Sequence, residues 1–391
     1  MSFSTRLRWV TVGLVWLSAA CSSRPAVTPT ATPIPPAVVT AVQATTSTLV
    51  SPTPTLAEDT ADAPETAVIE AFLATAFEGE PFRGAVLVAR QGEVILRRGY
   101  GLADAEHGIA NAPETRFRLG SVTKPITALA VLTLQAAGKL AVQQSVCAYL
   151  SDCPTAWQSI TLHHLLSHTS GIPDFTRFPD YELSKGQPST PTQTITRFAG
   201  RPLDFAPGTR WDYSNSNYIV LGAVIEQVTG QSYAAYLQAA VFAPLEMTSS
   251  GYDYNRETLA VGYRPDGAHA DYLDMSIPHA AGALYSSVDD LFTLDRALVA
   301  GAHLPAALQT AMFTPHASIP DRVRTLGYGY GWVVEQQPQG TVLWHNGSIE
   351  GFSAGLARYV EPDLVIVVLS NEEQRNPQVV IEGIAEIVLG R

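Results

Sequence analysis

Strand-like alternation is confined to the two ends of the globular part of this chain, and helix-like periodicity fills its middle. Gly84 to Ala89 and Val94 to Tyr100 flank Gln91-Gly92, which reads as a β-hairpin. Helical spacing follows from Ser121 to Ala137, Thr161 to Ser167, Tyr218 to Thr229, Tyr233 to Phe242 and Val288 to Val299. Gly138 and Gly230 stop two of these helices, and Ser287 with Asp290 resembles a capping box on the last. Strand patterns return at Tyr330 to Glu335, Val342 to His345, Ser353 to Val360 and Leu364 to Ser370, before a final helix near Pro377 to Leu389. A first helix is expected near Glu65 to Phe77. This order predicts a mixed α/β (α+β) fold: one antiparallel sheet built from both ends of the chain, flanked by helices, with a mostly helical insert.

The region before residue 65 cannot contribute a core. Arg6 and Arg8 precede an apolar run from Trp9 to Ala20, too short for a membrane span of ~20 residues, so residues 1–20 read as a signal peptide. Ser18, Ala19 and Ala20 precede Cys21 as at a lipoprotein cleavage site, although Leu17 sits one place further from the cysteine than usual. Cleavage with or without lipid on Cys21 stays open, and export holds under both. Residues 21–64 are rich in Thr, Pro and Ala and are expected to be a disordered tether. The chain is therefore expected outside the cell or in the periplasm, free or membrane-anchored through Cys21. Cys147 and Cys153 bracket a short polar loop and suit a structural disulfide in such a compartment.

Net charge is −12, and the first 57 residues carry three arginines and no acid. The remainder is acidic enough to repel phosphate backbones, which excludes nucleic acid as a partner.

Ser121-Val122-Thr123-Lys124 opens the first long helix of the middle section. Residues three apart share a helix face, so hydroxyl and ammonium can meet. Pro125 fits the first turn, and the helix N-terminus aims free N–H groups at an oxyanion formed there. The motif recurs by chance in many chains, where it is a cap serine followed by a surface lysine. Here Phe117 to Lys124, Tyr213-Ser214-Asn215 and His345-Asn346-Gly347 occur in one order, joined by Leu165 to Gly171, Pro207-Gly208 and Ala281 to Ser287. From about residue 68 onward the chain resembles the serine β-lactamase and penicillin-binding-protein family. It is most similar to the class C β-lactamase, D-aminopeptidase and carboxylesterase branch, in which Tyr-x-Asn replaces Ser-Asp-Asn.

The resemblance implies a β-lactamase/transpeptidase-like domain over residues 65–391 and a serine hydrolase working through an acyl-serine. Small-molecule, peptide or cell-wall-like esters and amides are its implied substrates, with no cofactor and no metal. Esterase, D-aminopeptidase and D-alanyl-D-alanine carboxypeptidase activities fit. A class C β-lactamase or a slowly acylating penicillin-binding sensor is the alternative. Ser121 is the implied nucleophile, and Lys124 with Tyr213 its activating pair, titrating together. Asn215 is expected to donate to substrate or to Lys124, and the N–H groups of Ser121 and Ser348 to form the oxyanion hole. Gly347 permits close approach of substrate to its strand.

The third element departs from the Lys-Thr-Gly of β-lactamases. His345, with Asn346 beside it, is expected to contact substrate, and a ring with a pKa near ~6.5 would read substrate carboxylates in a pH-dependent way. Two other patterns compete. Gly351-Phe352-Ser353-Ala354-Gly355 matches a nucleophile elbow, but a strand pattern follows it and no histidine lies beyond it. His163, His164 and His168 lack the glutamate and third ligand of a zinc site and read as surface, capping or packing residues.

Overall fold

In a computed structural model, residues 64–77, 81–255 and 258–390 are described. The signal peptide, Cys21 and all but the last residue of the tether lie outside them. Both ends of the described chain meet in one antiparallel sheet of eight strands. In chain order these are β1 (Gly84–Arg90), β2 (Glu93–Tyr100), β3 (Ala317–Ile319), β4 (Thr325–Tyr328), β5 (Val333–Gln337), β6 (Gly340–Ile349), β7 (Phe352–Tyr359) and β8 (Leu364–Ser370). Their spatial order is β2-β1-β8-β7-β6-β5-β4-β3. The N-terminal hairpin joins the C-terminal meander through β1 and β8, with Ala85 opposite Leu369 and Arg90 opposite Leu364.

Strand β8 shows why the sheet lies between two helical layers. Its run Leu-Val-Ile-Val-Val-Leu has no polar alternation, and both faces are buried. Leu364, Ile366 and Val368 pack with Ile69 and Leu73 of α1 (Pro64–Leu73) and with Ile381 and Ile384 of the C-terminal helix Pro377–Leu389. Val365, Val367 and Leu369 join the core on the other face, with α2 (Thr123–Ala136) and the helix Val288–Val299. Each such side chain contributes about 1.5–3 kcal/mol by leaving water.

Several elements differ from the sequence reading. Ser121 sits in a 3-10 turn, Gly120–Val122, and α2 starts at Thr123. The expected strand from Tyr330 is displaced to β5, and α1 ends at Leu73. Ser287 accepts from the Asp290 N–H, but the Asp290 carboxylate accepts from the Ser249 N–H and Ser250 Oγ instead of closing a capping box. Cys147 and Cys153 are joined in a disulfide with Cα atoms 5.1 Å apart.

Candidate active site

Helix α2 is buried around its whole first three turns, so whatever follows Ser121 is carried into the interior. Lys124 is fully buried. Its Nζ lies 3.1 Å from Ser121 Oγ, 2.8 Å from Asn215 Oδ1 and 2.9 Å from the Ala281 carbonyl, three acceptors for three N–H groups. Burial pushes its pKa down to about 7, against the opposing attraction of Asp174. Near neutrality a large share of Lys124 is therefore a free amine, whose lone pair can take the Ser121 proton across the same 3.1 Å.

Tyr213 donates its hydroxyl to Ser121 Oγ at 2.9 Å. Burial raises its pKa above the ordinary phenol value, the bond to Ser121 only partly opposing this, so the resting group is a neutral donor. Of the activating pair, Lys124 is therefore better placed than a Tyr213 phenolate to take the Ser121 proton. His168 holds the segment: its carbonyl accepts from the Asp212 N–H at 3.0 Å, its Nδ1 accepts from the Ser214 N–H at 3.2 Å, and its ring packs on Tyr213 with centroids 4.4 Å apart.

Asn215 begins the helix Asn215–Thr229, and its amide is oriented opposite to expectation. Oδ1 accepts from Lys124, while Nδ2 donates to Asp174 Oδ2 at 3.2 Å and to Thr176 Oγ1 at 3.3 Å. Asp174, buried and tied to Lys124 through Asn215, is a site residue that the motif search missed. The signal was present, because the singled-out run ending at Gly171 continues Ile172-Pro173-Asp174. Asp174→Asn removes the charge that holds Lys124 up. The acid limb of kcat/KM for a neutral ester is then expected to move to lower pH, raising the rate at pH 5.5 relative to pH 8 roughly threefold. A pH profile of both proteins checks this, since a purely structural role would scale both limbs equally.

Strand β6 divides the third element between its two faces. Gly347 meets the turn before α2 backbone to backbone: a Cβ there would stand 2.0 Å from the Leu119 carbonyl and 3.0 Å from the Ser121 nitrogen. Gly120, at φ 50°, makes the reciprocal approach to Ser348. Ser121 and Ser348 line one cleft of about 190 Å³. His345 and Asn346 require correction. His345 is buried, with Nε2 3.0 Å from the Tyr328 hydroxyl and Nδ1 2.7 Å from the Asn346 carbonyl. Burial, then the Lys124 charge, push its pKa down to about 3, so it is neutral at working pH and presents no cation to a substrate carboxylate. The Asn346 side chain donates to Gln378 on the C-terminal helix, across the sheet from Ser121, and is not a substrate contact.

The competing patterns have structural work. Ser353 lies buried in β7 and donates to the Glu372 carbonyl at 3.0 Å. His164 closes a capping box with Thr161, and His163 meets the Tyr330 hydroxyl at 2.8 Å.

A serine and a lysine one helical turn apart, under a tyrosine hydroxyl and beside a glycine of an antiparallel strand, form an arrangement in which the serine can act as a nucleophile. The Beta-lactamase family profile matches residues 70–389, and the chain belongs to that family. Esterase EstB of Burkholderia gladioli is 34% identical over 300 residues, covering 64% of this chain and 74% of EstB. Among solved structures, a penicillin binding protein from Bacillus halodurans aligns with TM-score 0.72 at 28% identity, over 81% of this chain and 99% of that one. A D-stereospecific amidohydrolase from Streptomyces sp. aligns with TM-score 0.71 at 28% identity, over 83% and 99%. The fold is that of β-lactamases and transpeptidases, and the protein is a serine hydrolase acting on small-molecule or peptide-like substrates.

Proposed function

We propose that the protein hydrolyses neutral or cationic esters and peptide-like amides through an acyl-serine on Ser121, and that carboxylate-bearing β-lactams are poor substrates. The observation that carries this is the buried, neutral His345, which stands where a lysine would offer a substrate carboxylate a permanent cation. In this reading Lys124 removes the Ser121 proton, while Tyr213 holds Oγ by a hydrogen bond and relays a proton to the leaving group. Asn215 and Asp174 fix Lys124. The backbone N–H groups of Ser121 and Ser348 receive the oxyanion. Export, with residues 21–64 as a tether and Cys21 either lipidated or free at the mature N-terminus, completes this reading.

A panel of chromogenic esters, D-amino-acid amides, D-Ala-D-Ala peptides and nitrocefin tests the substrate reading. Esters and amides are expected to exceed nitrocefin in kcat/KM by about tenfold or more, as for a lost charge-assisted contact. Efficient nitrocefin turnover overturns this. A stoichiometric burst without turnover identifies a sensor instead of an enzyme.

A further inference from the structure

Leu273 and Glu350 line both the cleft above Ser121 and a neighbouring cavity of about 360 Å³. Glu350 is the first residue of the two-residue turn that joins β6 to β7, where Ile349 pairs with Phe352. The Gly351 N–H pins that turn by donating to Glu373 Oε2 at 3.0 Å. The carboxylate is therefore carried on a fixed hairpin, two residues beyond Ser348.

Among the described residues lining the Ser121 cleft, Glu350 is the one with a formal charge. Its counter-ion is shared: Lys185 Nζ lies 2.9 Å from Glu350 and 2.6 Å from Glu182, which leaves the three groups at a net −1. The Lys185 and Glu350 side chains are only 14% and 17% exposed, so water screens this pair weakly. Glu350 also acts on Tyr181 of the same lining, adding to burial in lifting its phenol above the usual pKa while Lys185 partly opposes it. In the second cavity Arg118 is bound to Asp253 at 2.7 Å, and Asp271 and Glu350 complete the charged lining apart from His269.

We infer that Glu350 selects acyl donors that carry an ammonium group on the acyl chain. This inference rests on the acyl-serine reading above and names its substrate class. An ammonium seated at the mouth of the second cavity gains a second counter-charge for a carboxylate that Lys185 only shares. A substrate carboxylate in the same place is repelled.

The test is the ratio of kcat/KM for p-nitrophenyl 4-(trimethylammonio)butyrate to that for its uncharged isostere p-nitrophenyl 5,5-dimethylhexanoate, measured on the full chain. The ratio is expected near tenfold in the wild type, as for one partly screened charge contact. Glu350→Gln, whose amide oxygen still accepts from Lys185, should bring it towards one. Lys185→Met should raise it by unmasking the carboxylate. A merely structural contribution would change both esters together and leave the ratio fixed. A wild-type ratio at or below one, or a ratio unaltered by Glu350→Gln, overturns this inference and leaves the acyl-serine reading standing. Failure to hydrolyse either ester overturns both.

Discussion

Ser121→Ala is expected to lower kcat/KM toward chromogenic esters by ~10⁴-fold or more, about 5 kcal/mol of transition-state stabilisation, while the protein stays folded. Both hydrogen bonds that converge on Ser121 Oγ come from groups with little else to do at that point: the Tyr213 hydroxyl at 2.9 Å and Lys124 Nζ at 3.1 Å. Removing the oxygen leaves these donors with nothing to activate. Lys124 keeps Asn215 and the Ala281 carbonyl, so the fold should lose only about 2 kcal/mol, the net worth of two typical hydrogen bonds. A fluorophosphonate probe followed by intact-mass analysis gives the second readout. One adduct is expected on the wild type and none on Ser121→Ala. An adduct that persists in the variant, above all one mapped to Ser353, sinks the assignment.

Lys124→Met is expected to lower turnover ~10²–10⁴-fold, the usual contribution of a general base, and to abolish the acid limb of the pH profile. With the pKa of Lys124 at about 7, the free-amine fraction and hence wild-type kcat/KM should fall tenfold per unit as pH drops below that point. Methionine fills the volume without a proton to exchange, so its residual rate should be flat there. The same shift enters stability with a definite sign. Between about 7 and the ordinary lysine value of 10.5 the unfolded chain binds the proton that the folded chain has released. Stability therefore rises with pH across this window, and the cost of burying the charge is fully present below it. Thermal melts of wild type and variant at pH 6 and pH 9.5 should show that rise in the wild type and a smaller one in Lys124→Met. Tyr213→Phe should slow turnover while keeping the acid limb. A profile unchanged by Lys124→Met would exclude Lys124 as the base.

The residues that were legible in the sequence are those whose chemistry is local. Ser121 and Lys124 needed one helical turn, and β8 and the C-terminal helix needed only their apolar pattern and a proline at the helix start. Failures came where a neighbour in space decides. His345 has the ring of a pH-sensitive group, yet burial and the Lys124 charge set its state, and no spacing in the chain links positions 124 and 345. Asn346 was grouped with His345 and Gly347 by adjacency, although alternation along a strand sends neighbours to opposite faces. The short edge strand β3 and its neighbour β4 escaped notice because short strands near an edge need few apolar residues and these flank turn formers such as Pro320 and Asp321. Asp174 and Glu350 are held by side chains from distant segments, Asn215 and Lys185, which no local pattern reveals.

The seam between β1 and β8 sets the order in which this protein can come into being. Its paired residues stand about 280 positions apart, and closing a loop of that length costs roughly 5 kcal/mol of chain entropy before any of the seam's contacts repay it. Contact order this high predicts slow folding. Ser121 belongs to the segment that emerges early, whereas Gly347 and Ser348 arrive late. A chain still in synthesis carries the serine and its lysine without the strand that would complete the oxyanion hole, so acyl chemistry is withheld until the last strands close and its appearance can serve as a clock for the end of folding.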